Sequence, residues 1–219
     1  MVSPQTESTG GSSSRGDRGR AVVYFAKAPL PGQVKTRLCP PLTPDEAAAL
    51  YGAFLRRVVQ PVPAARTLVY GWPGEAREAL AGALPAGWQA AGLELREQRG
   101  ADLWERMQGC FEDLFAEGHT SVLIRNTDSP DLGLDLVTLA LEQCRPGRVV
   151  LGPDAGGGYY LIGLSEVHPE LLGLASEGAD SVFEQTVGRV REEGLDLVTL
   201  SEQADVDTFE DLIAMWRAR

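Results

Sequence analysis

Short apolar runs alternate with amphipathic segments along most of this chain, and that alternation restricts it to folds built from strand–helix units. Runs at 21–25 (AVVYF), 67–70 (TLVY), 121–126 (SVLIRN), 148–151 (RVVL), 159–164 (YYLIGL) and 195–200 (LDLVTL) read as strands, and 93–98 (LELREQ) alternates like a strand nearer a sheet edge. Between them, helical spacing is expected over 43–60, 75–83, 101–117, 130–144 and 181–193, and from 208 onward. The first helix carries its own start signal: Thr43 at the cap, Pro44 at the first position, then Asp45 and Glu46. Alternation of this kind predicts an α/β fold, a mainly parallel sheet covered by helices on both faces. Ligands of such sheets bind outside the carboxyl ends of the strands.

The 219 residues suit one domain, read here as 20–219, preceded by a Ser/Gly/Arg-rich leader at 1–19 that is expected to be disordered. No apolar run approaches the roughly 20 residues a membrane span needs. A formal net charge of −11 argues against binding along nucleic-acid backbone, which needs a broad basic face, but leaves a single nucleotide allowed. Cys39, Cys110 and Cys144 are odd in number and widely spaced, so neither a disulfide framework nor a paired-cysteine metal site is indicated, and a reducing, cytoplasmic setting is expected. His119 and His168 offer little for a histidine metal site or a histidine-activated nucleophile.

Against that acidic background, 25–38 (FAKAPLPGQVKTRL) concentrates three cations, Lys27, Lys35 and Arg37, directly after the first strand. Positive charge gathered there is suited to phosphate. Pro29 and Pro31 stiffen the approach, Gly32 opens backbone conformations closed to other residues, and Lys35 with Arg37 can neutralise phosphate oxygens. The loop is not a Walker A motif, because Val34 rather than glycine precedes Lys35-Thr36. A solvated basic turn is the alternative.

Asp128 closes an apolar strand on the ligand edge, where a carboxylate can hold Mg²⁺ or Mn²⁺ against a diphosphate. Its neighbours Ser129 and Asp131 have a helix-capping role open to them before Pro130. Asp205, Asp207, Glu210 and Asp211 form a second acidic group before the last helix, with Asp207 the candidate second metal ligand and capping by Asp207 or Thr208 the competing use. Residues 152–158 (GPDAGGG) are too glycine-rich for an ordinary connection and suggest close approach to a ligand, while Tyr159 and Tyr160 start a packed strand.

Taken in order, FAKAPLPGQVKTRL, TDSPDL, GPDAGGGYYLIGL and DVDTFEDL resemble the bacterial DUF2064 family, described as glycosyltransferase-A-type transferases associated with radical SAM and arsenosugar gene clusters. The resemblance covers nearly all of 21–212. It implies a glycosyltransferase-A fold, a Rossmann-like three-layer α/β/α sandwich of the nucleotide-diphospho-sugar transferase superfamily, which also contains nucleotidyltransferases. It further implies a phosphate loop of Lys27, Pro31, Gly32, Lys35, Thr36 and Arg37, a substrate loop of Asp154, Gly157, Gly158 and Tyr159, and a Mg²⁺ or Mn²⁺ site on Asp128 and Asp207. Lys35, Arg37 and Asp128 would be catalytic.

Three positions depart from the family pattern. Asn126 and Trp104 stand where glycine is usual, and Gly156 replaces an aspartate while Asp154 lies two residues earlier. The activity so implied is metal-dependent transfer from a nucleotide-activated donor to a small acceptor, glycosyl transfer first. Nucleotidyl transfer with release of pyrophosphate is the alternative, and non-catalytic nucleotide binding a third.

Overall fold

The computed structural model describes residues 19–174 and 181–218. The leader expected at 1–19 lies outside them except for Gly19, whose carbonyl accepts hydrogen bonds from the backbone of Thr120 and Ser121. Seven strands, β1 (Arg20–Lys27), β2 (Arg66–Trp72), β3 (Glu94–Glu97), β4 (Ser121–Arg125), β5 (Arg148–Pro153), β6 (Tyr159–Leu164) and β7 (Asp196–Thr199), form one sheet in the order β3-β2-β1-β4-β6-β5-β7. β6 is antiparallel to both β4 and β5, and every other pairing is parallel. The start of β6 therefore lies on the same edge as the carboxyl ends of the other strands.

Six helices cover the sheet: α1 (Pro44–Val58), α2 (Arg77–Ala83), α3 (Leu103–Ala116), α4 (Leu134–Gln143), α5 (Val182–Glu192) and α6 (Phe209–Arg217). Adjacent residues of β1 point to opposite faces, so both alternate sets must be apolar. Ala21 and Val23 pack with Met107, Phe111 and Leu114 of α3 and Val190 of α5. Tyr24 and Ala26 pack with Tyr51, Phe54 and Leu55 of α1, and Val22 with Val137 and Leu141 of α4. The result is the three-layer α/β/α sandwich that the alternation predicts.

One helix begins later than its sequence suggests. Pro130 and Asp131 lie in a turn, and α4 starts after Gly133 with no side-chain cap. Ser129 is not a cap, because its hydroxyl is engaged elsewhere, and Asp131 pairs with Arg57 of α1 at 2.9 Å. By contrast Thr43 and Glu46 form a reciprocal capping box on α1, as do Thr208 and Asp211 on α6. With Thr208 capping α6, the side chain of Asp207 is left for other work.

Candidate active site

A cavity of about 510 Å³ opens at the carboxyl edge of the sheet, lined by the ends of β1, β2 and β4, the start of β6 and the loops that follow them. It gathers Lys27, Lys35, Thr36, Arg37, Asp128, Asp154, Gly158, Tyr159 and Asp207 from four separate stretches of chain. Pro31, Gly32 and Gly157, also expected at the site, shape its loops without lining the cavity. Gln33 N–H donates to Leu30 O at 3.1 Å, with Pro31 and Gly32 between them and Gly32 at φ +76°, the arrangement of a type II turn. Gly157, at φ +86°, brings its loop so close to the start of α5 that an added Cβ would lie 2.9 Å from Ser181 Cβ.

The basic loop and the acidic loops meet directly. Lys35 Nζ lies 2.5 Å from Asp128 Oδ1 and 3.0 Å from Asp207 Oδ1, with its side chain 4% exposed against 37% and 49% for the two carboxylates. Burial alone would lower the Lys35 ammonium, but the Asp128 and Asp207 carboxylates outweigh it and hold it above the ordinary lysine value. The side chains of Lys27 and Arg37 make no hydrogen bond or ion pair with the described residues. Two of the three loop cations are thus free for a ligand, and the third is already engaged.

Asp128 and Asp207 suit a divalent cation: two hard carboxylate oxygens from different loops already converge on one positive atom, and both carboxylates are open to the cavity. No group of three or more His, Cys, Asp or Glu side chains forms a metal cage among the described residues. A Mg²⁺ ion is commonly held by one or two protein carboxylates, with ligand phosphates completing its shell.

Several residues position this pair. The backbone N–H of Lys27 donates to Tyr51 Oη at 3.1 Å, Tyr51 and Thr127 hydroxyls lie 2.7 Å apart, and Thr127 Oγ1 donates to Phe25 O at 3.2 Å. This chain of bonds ties α1 and the end of β1 to the turn that carries Asp128. Asn126 Nδ2 donates to both oxygens of Asp205 at 3.0 Å, and Ser129 Oγ donates to the same carboxylate. Burial, opposed by those hydrogen bonds and reinforced by Asp128 and Asp154, pushes Asp205 up to about 6. Of the two aspartates in DVD, Asp205 is the partly buried tie between loops and Asp207 is the one open to the cavity.

Asp154 Oδ1 accepts from the backbone N–H of Gly156 and of Gly158, both at 2.9 Å, and so closes the glycine-rich loop on itself. A Cβ added at Gly156 would lie 3.2 Å from that oxygen. Asp154 therefore delivers its carboxylate beside the position from which an aspartate at 156 would project.

Part of the cavity wall is aromatic, and of its residues only Tyr159 was expected at the site from the sequence. Trp72, Trp104, Tyr159 and Phe25 line it together with Gln98 and Arg106. Arg106 stacks over the Trp72 indole at 4.4 Å, and Trp104 meets Tyr159 at 6.4 Å with a 54° tilt. Arg106 Nε and the Tyr159 hydroxyl are buried with no hydrogen-bond partner among the described residues. Gln98 Nε2 donates to Ala26 O and Tyr70 O, which fixes the amide. The available signal was positional: Trp72 ends β2 and Gln98 follows β3, both on the ligand edge.

A family model described as "uncharacterized protein conserved in bacteria (DUF2064)" matches residues 54–176. The chain belongs to the DUF2064 family. A crystal structure from Desulfovibrio desulfuricans G20, provisionally named a nucleotide-diphospho-sugar transferase, is 31% identical with a TM-score of 0.82, over 91% of this chain and 87% of that one. A nucleotidyl transferase from Methanothermobacter thermautotroptrophicus (14% identity, TM-score 0.58, 91% and 99% covered) shares the fold. So does a CMP:2-keto-3-deoxy-manno-octonic acid synthetase complexed with CTP (15% identity, TM-score 0.50, 91% and 98% covered). No curated protein matches this DUF2064 chain in sequence. No helix among its described residues is long and apolar enough to cross a membrane.

Proposed function

We propose that this DUF2064 protein is a metal-dependent transferase that uses a nucleotide-activated donor, with glycosyl transfer from a nucleotide-diphospho-sugar to a small acceptor as the first reading. The observation that carries it is the meeting of Asp128 and Asp207 with Lys27 and Arg37, two cations unpaired among the described residues, in one cavity at the ligand edge of the sheet. The 31% identical relative, provisionally named a nucleotide-diphospho-sugar transferase, supports a transferase of this general kind.

Asp128 and Asp207 would hold Mg²⁺ or Mn²⁺, which supplies charge neutralisation at the diphosphate. Lys27 and Arg37 grip phosphate oxygens, Arg37 by its fork of donors. Charge developing on the departing nucleoside diphosphate is met by cations already in place. In the transfer an acceptor hydroxyl oxygen bonds to the anomeric carbon as the bond to the β-phosphate oxygen breaks, the diphosphate leaves with the electron pair, and the hydroxyl proton is released to solvent. Asp154, beside Gly156, would contact the sugar or the acceptor. The three free cysteines fit a cytoplasmic setting.

Nucleotidyl transfer is the second reading, favoured by the number of cations on one loop, which suits a triphosphate. There an acceptor phosphate oxygen attacks the α-phosphorus and pyrophosphate leaves. Thermal shifts with the four NTPs and common sugar nucleotides, with and without Mg²⁺ and Mn²⁺, test the shared part. A ligand present at about 100 times its Kd stabilises by about 2.7 kcal/mol, and Asp128→Asn is expected to remove the metal-dependent share. The absence of any metal-dependent nucleotide shift refutes both readings, and release of nucleoside diphosphate or of pyrophosphate separates them.

A further inference from the structure

The geometry points to Lys35 as a built-in cation of the Asp128/Asp207 site, one that holds the two carboxylates together until a divalent ion enters with a phosphorylated ligand and then passes to the phosphates. The inference rests on the reading of Asp128 and Asp207 as metal ligands. Both contacts of Lys35 are made by a single atom, Nζ, to Oδ1 of each carboxylate, across 172 residues of sequence in the case of Asp207. An ammonium there neutralises half the charge of the pair. A divalent ion sharing those oxygens would stand within a few ångströms of it, and like charges that close repel strongly.

Exposure gives the direction of exchange. The Lys35 side chain is almost fully enclosed while both carboxylates open to the cavity, so an incoming ion reaches the oxygens from the cavity side and competes with the ammonium for them. Lys35 also has somewhere to go. Its flexible four-carbon stem can swing the ammonium without moving the fold, and Lys27 and Arg37 mark the neighbouring place where negative charge is expected.

The backbone at Lys35 is poised for such a move. Lys35 sits at φ 49°, ψ 37°, one of two non-glycine residues with positive φ among those described, a conformation that persists only where surrounding contacts hold it. It immediately precedes the 3₁₀ turn Thr36–Leu38 that carries Arg37. Metal and phosphate binding are then positively coupled, and each alone binds less well than the two together.

The test measures Mn²⁺ binding to the whole chain by the electron paramagnetic resonance signal of the free ion, in wild type, Lys35→Met, Lys35→Arg and Lys35→Met/Asp128→Asn. Each is titrated alone and with inorganic phosphate too dilute to hold manganese itself. Lys35→Met is expected to bind Mn²⁺ about tenfold or more tightly than wild type without phosphate, and to gain less from phosphate. Lys35→Arg, which keeps the charge, is expected to stay weak, and the double variant to lose the gain. Should Lys35→Met bind Mn²⁺ no better than wild type while wild type binds it through Asp128, the built-in cation is refuted and the metal site stands. Should no protein bind Mn²⁺ with or without phosphate, the metal site itself falls. If Lys35→Met fails to fold, Lys35→Gln serves in its place, and a circular dichroism spectrum of each variant identifies that case.

Discussion

Tyr51, on the helix that follows the basic loop, and Thr127, on the turn that follows β4, hold their hydroxyls 2.7 Å apart in the interior. Thr127 donates onward to Phe25 O and Tyr51 accepts from Lys27 N–H, so one phenol fixes where the basic loop starts relative to Asp128. Burial, with the nearby Asp128 charge adding to it, pushes the phenol well above its ordinary range and keeps it a neutral donor. Tyr51→Phe leaves the Lys27 N–H without its acceptor. It is expected to cost about 1–3 kcal/mol in urea unfolding and to weaken pyrophosphate binding in a thermal-shift titration.

The two aspartates of DVD are expected to fail in opposite ways. Asp205 is partly buried and receives hydrogen bonds from Asn126 and Ser129; Asp205→Ala strands the Asn126 amide nitrogen, leaving Ser129 its bond to Asn126 Oδ1, and should lower unfolding stability by about 1–2 kcal/mol. Asp207 is half exposed and bonded through Lys35. Asp207→Ala should change stability by less than about 1 kcal/mol yet remove the manganese-dependent part of any nucleotide shift. Equal losses of stability in the two variants would show that Asp207 is structural as well.

That contrast marks where the sequence stops being legible. Local signals carry far: Thr43, Pro44 and Glu46 announce α1, Thr208 and Asp211 announce α6, and the apolar runs locate the strands to within a few residues. The cations of the first loop and the acids after β4 and β7 are visible because they follow strands. What fails is whatever depends on a distant partner. Ser129 reads as a cap because a proline follows it, and only the fold brings Asp205, 76 residues away, to its hydroxyl. The insertion of antiparallel β6 between β4 and β5 is set by pairing across the sheet, which periodicity does not encode. Trp72 and Trp104 become one wall only when β2 and α3 are neighbours.

At the β3 edge of the sheet, Glu117 accepts from Arg96 Nη1 at 2.5 Å and from Arg66 Nη1 at 2.6 Å. The Arg96 hydrogen bonds, against partial burial and with Arg66 assisting, hold Glu117 down to about 2. A depressed carboxylate contributes stability above its unfolded value of 4.5 and loses it as pH falls through about 2. The pair is well exposed, so screening limits its worth to about 1 kcal/mol or less. Glu117→Gln should therefore be slightly less stable than wild type at neutral pH, and the gap should close between pH 4.5 and 2 and shrink in high salt.

Tyr159 lines the cavity beside Trp104, and its buried hydroxyl has no partner among the described residues. A hydroxyl enclosed in this way costs desolvation without return, and burial accordingly pushes its phenol far above the usual range. Removing it should relieve that cost: Tyr159→Phe is expected to equal or exceed wild type in unfolding stability, by up to about 1–2 kcal/mol. A ligand that reaches this hydroxyl from the cavity that Tyr159 lines would give it the missing partner. The variant should therefore bind the nucleotide or sugar nucleotide identified by thermal shift roughly tenfold less tightly, the cost of about one hydrogen bond. Trp72 and Trp104 line the same space and supply the readout, a ligand-dependent change in tryptophan fluorescence. A variant that is destabilised, with unchanged ligand affinity, would place the hydroxyl in the packing of the fold and out of the binding site.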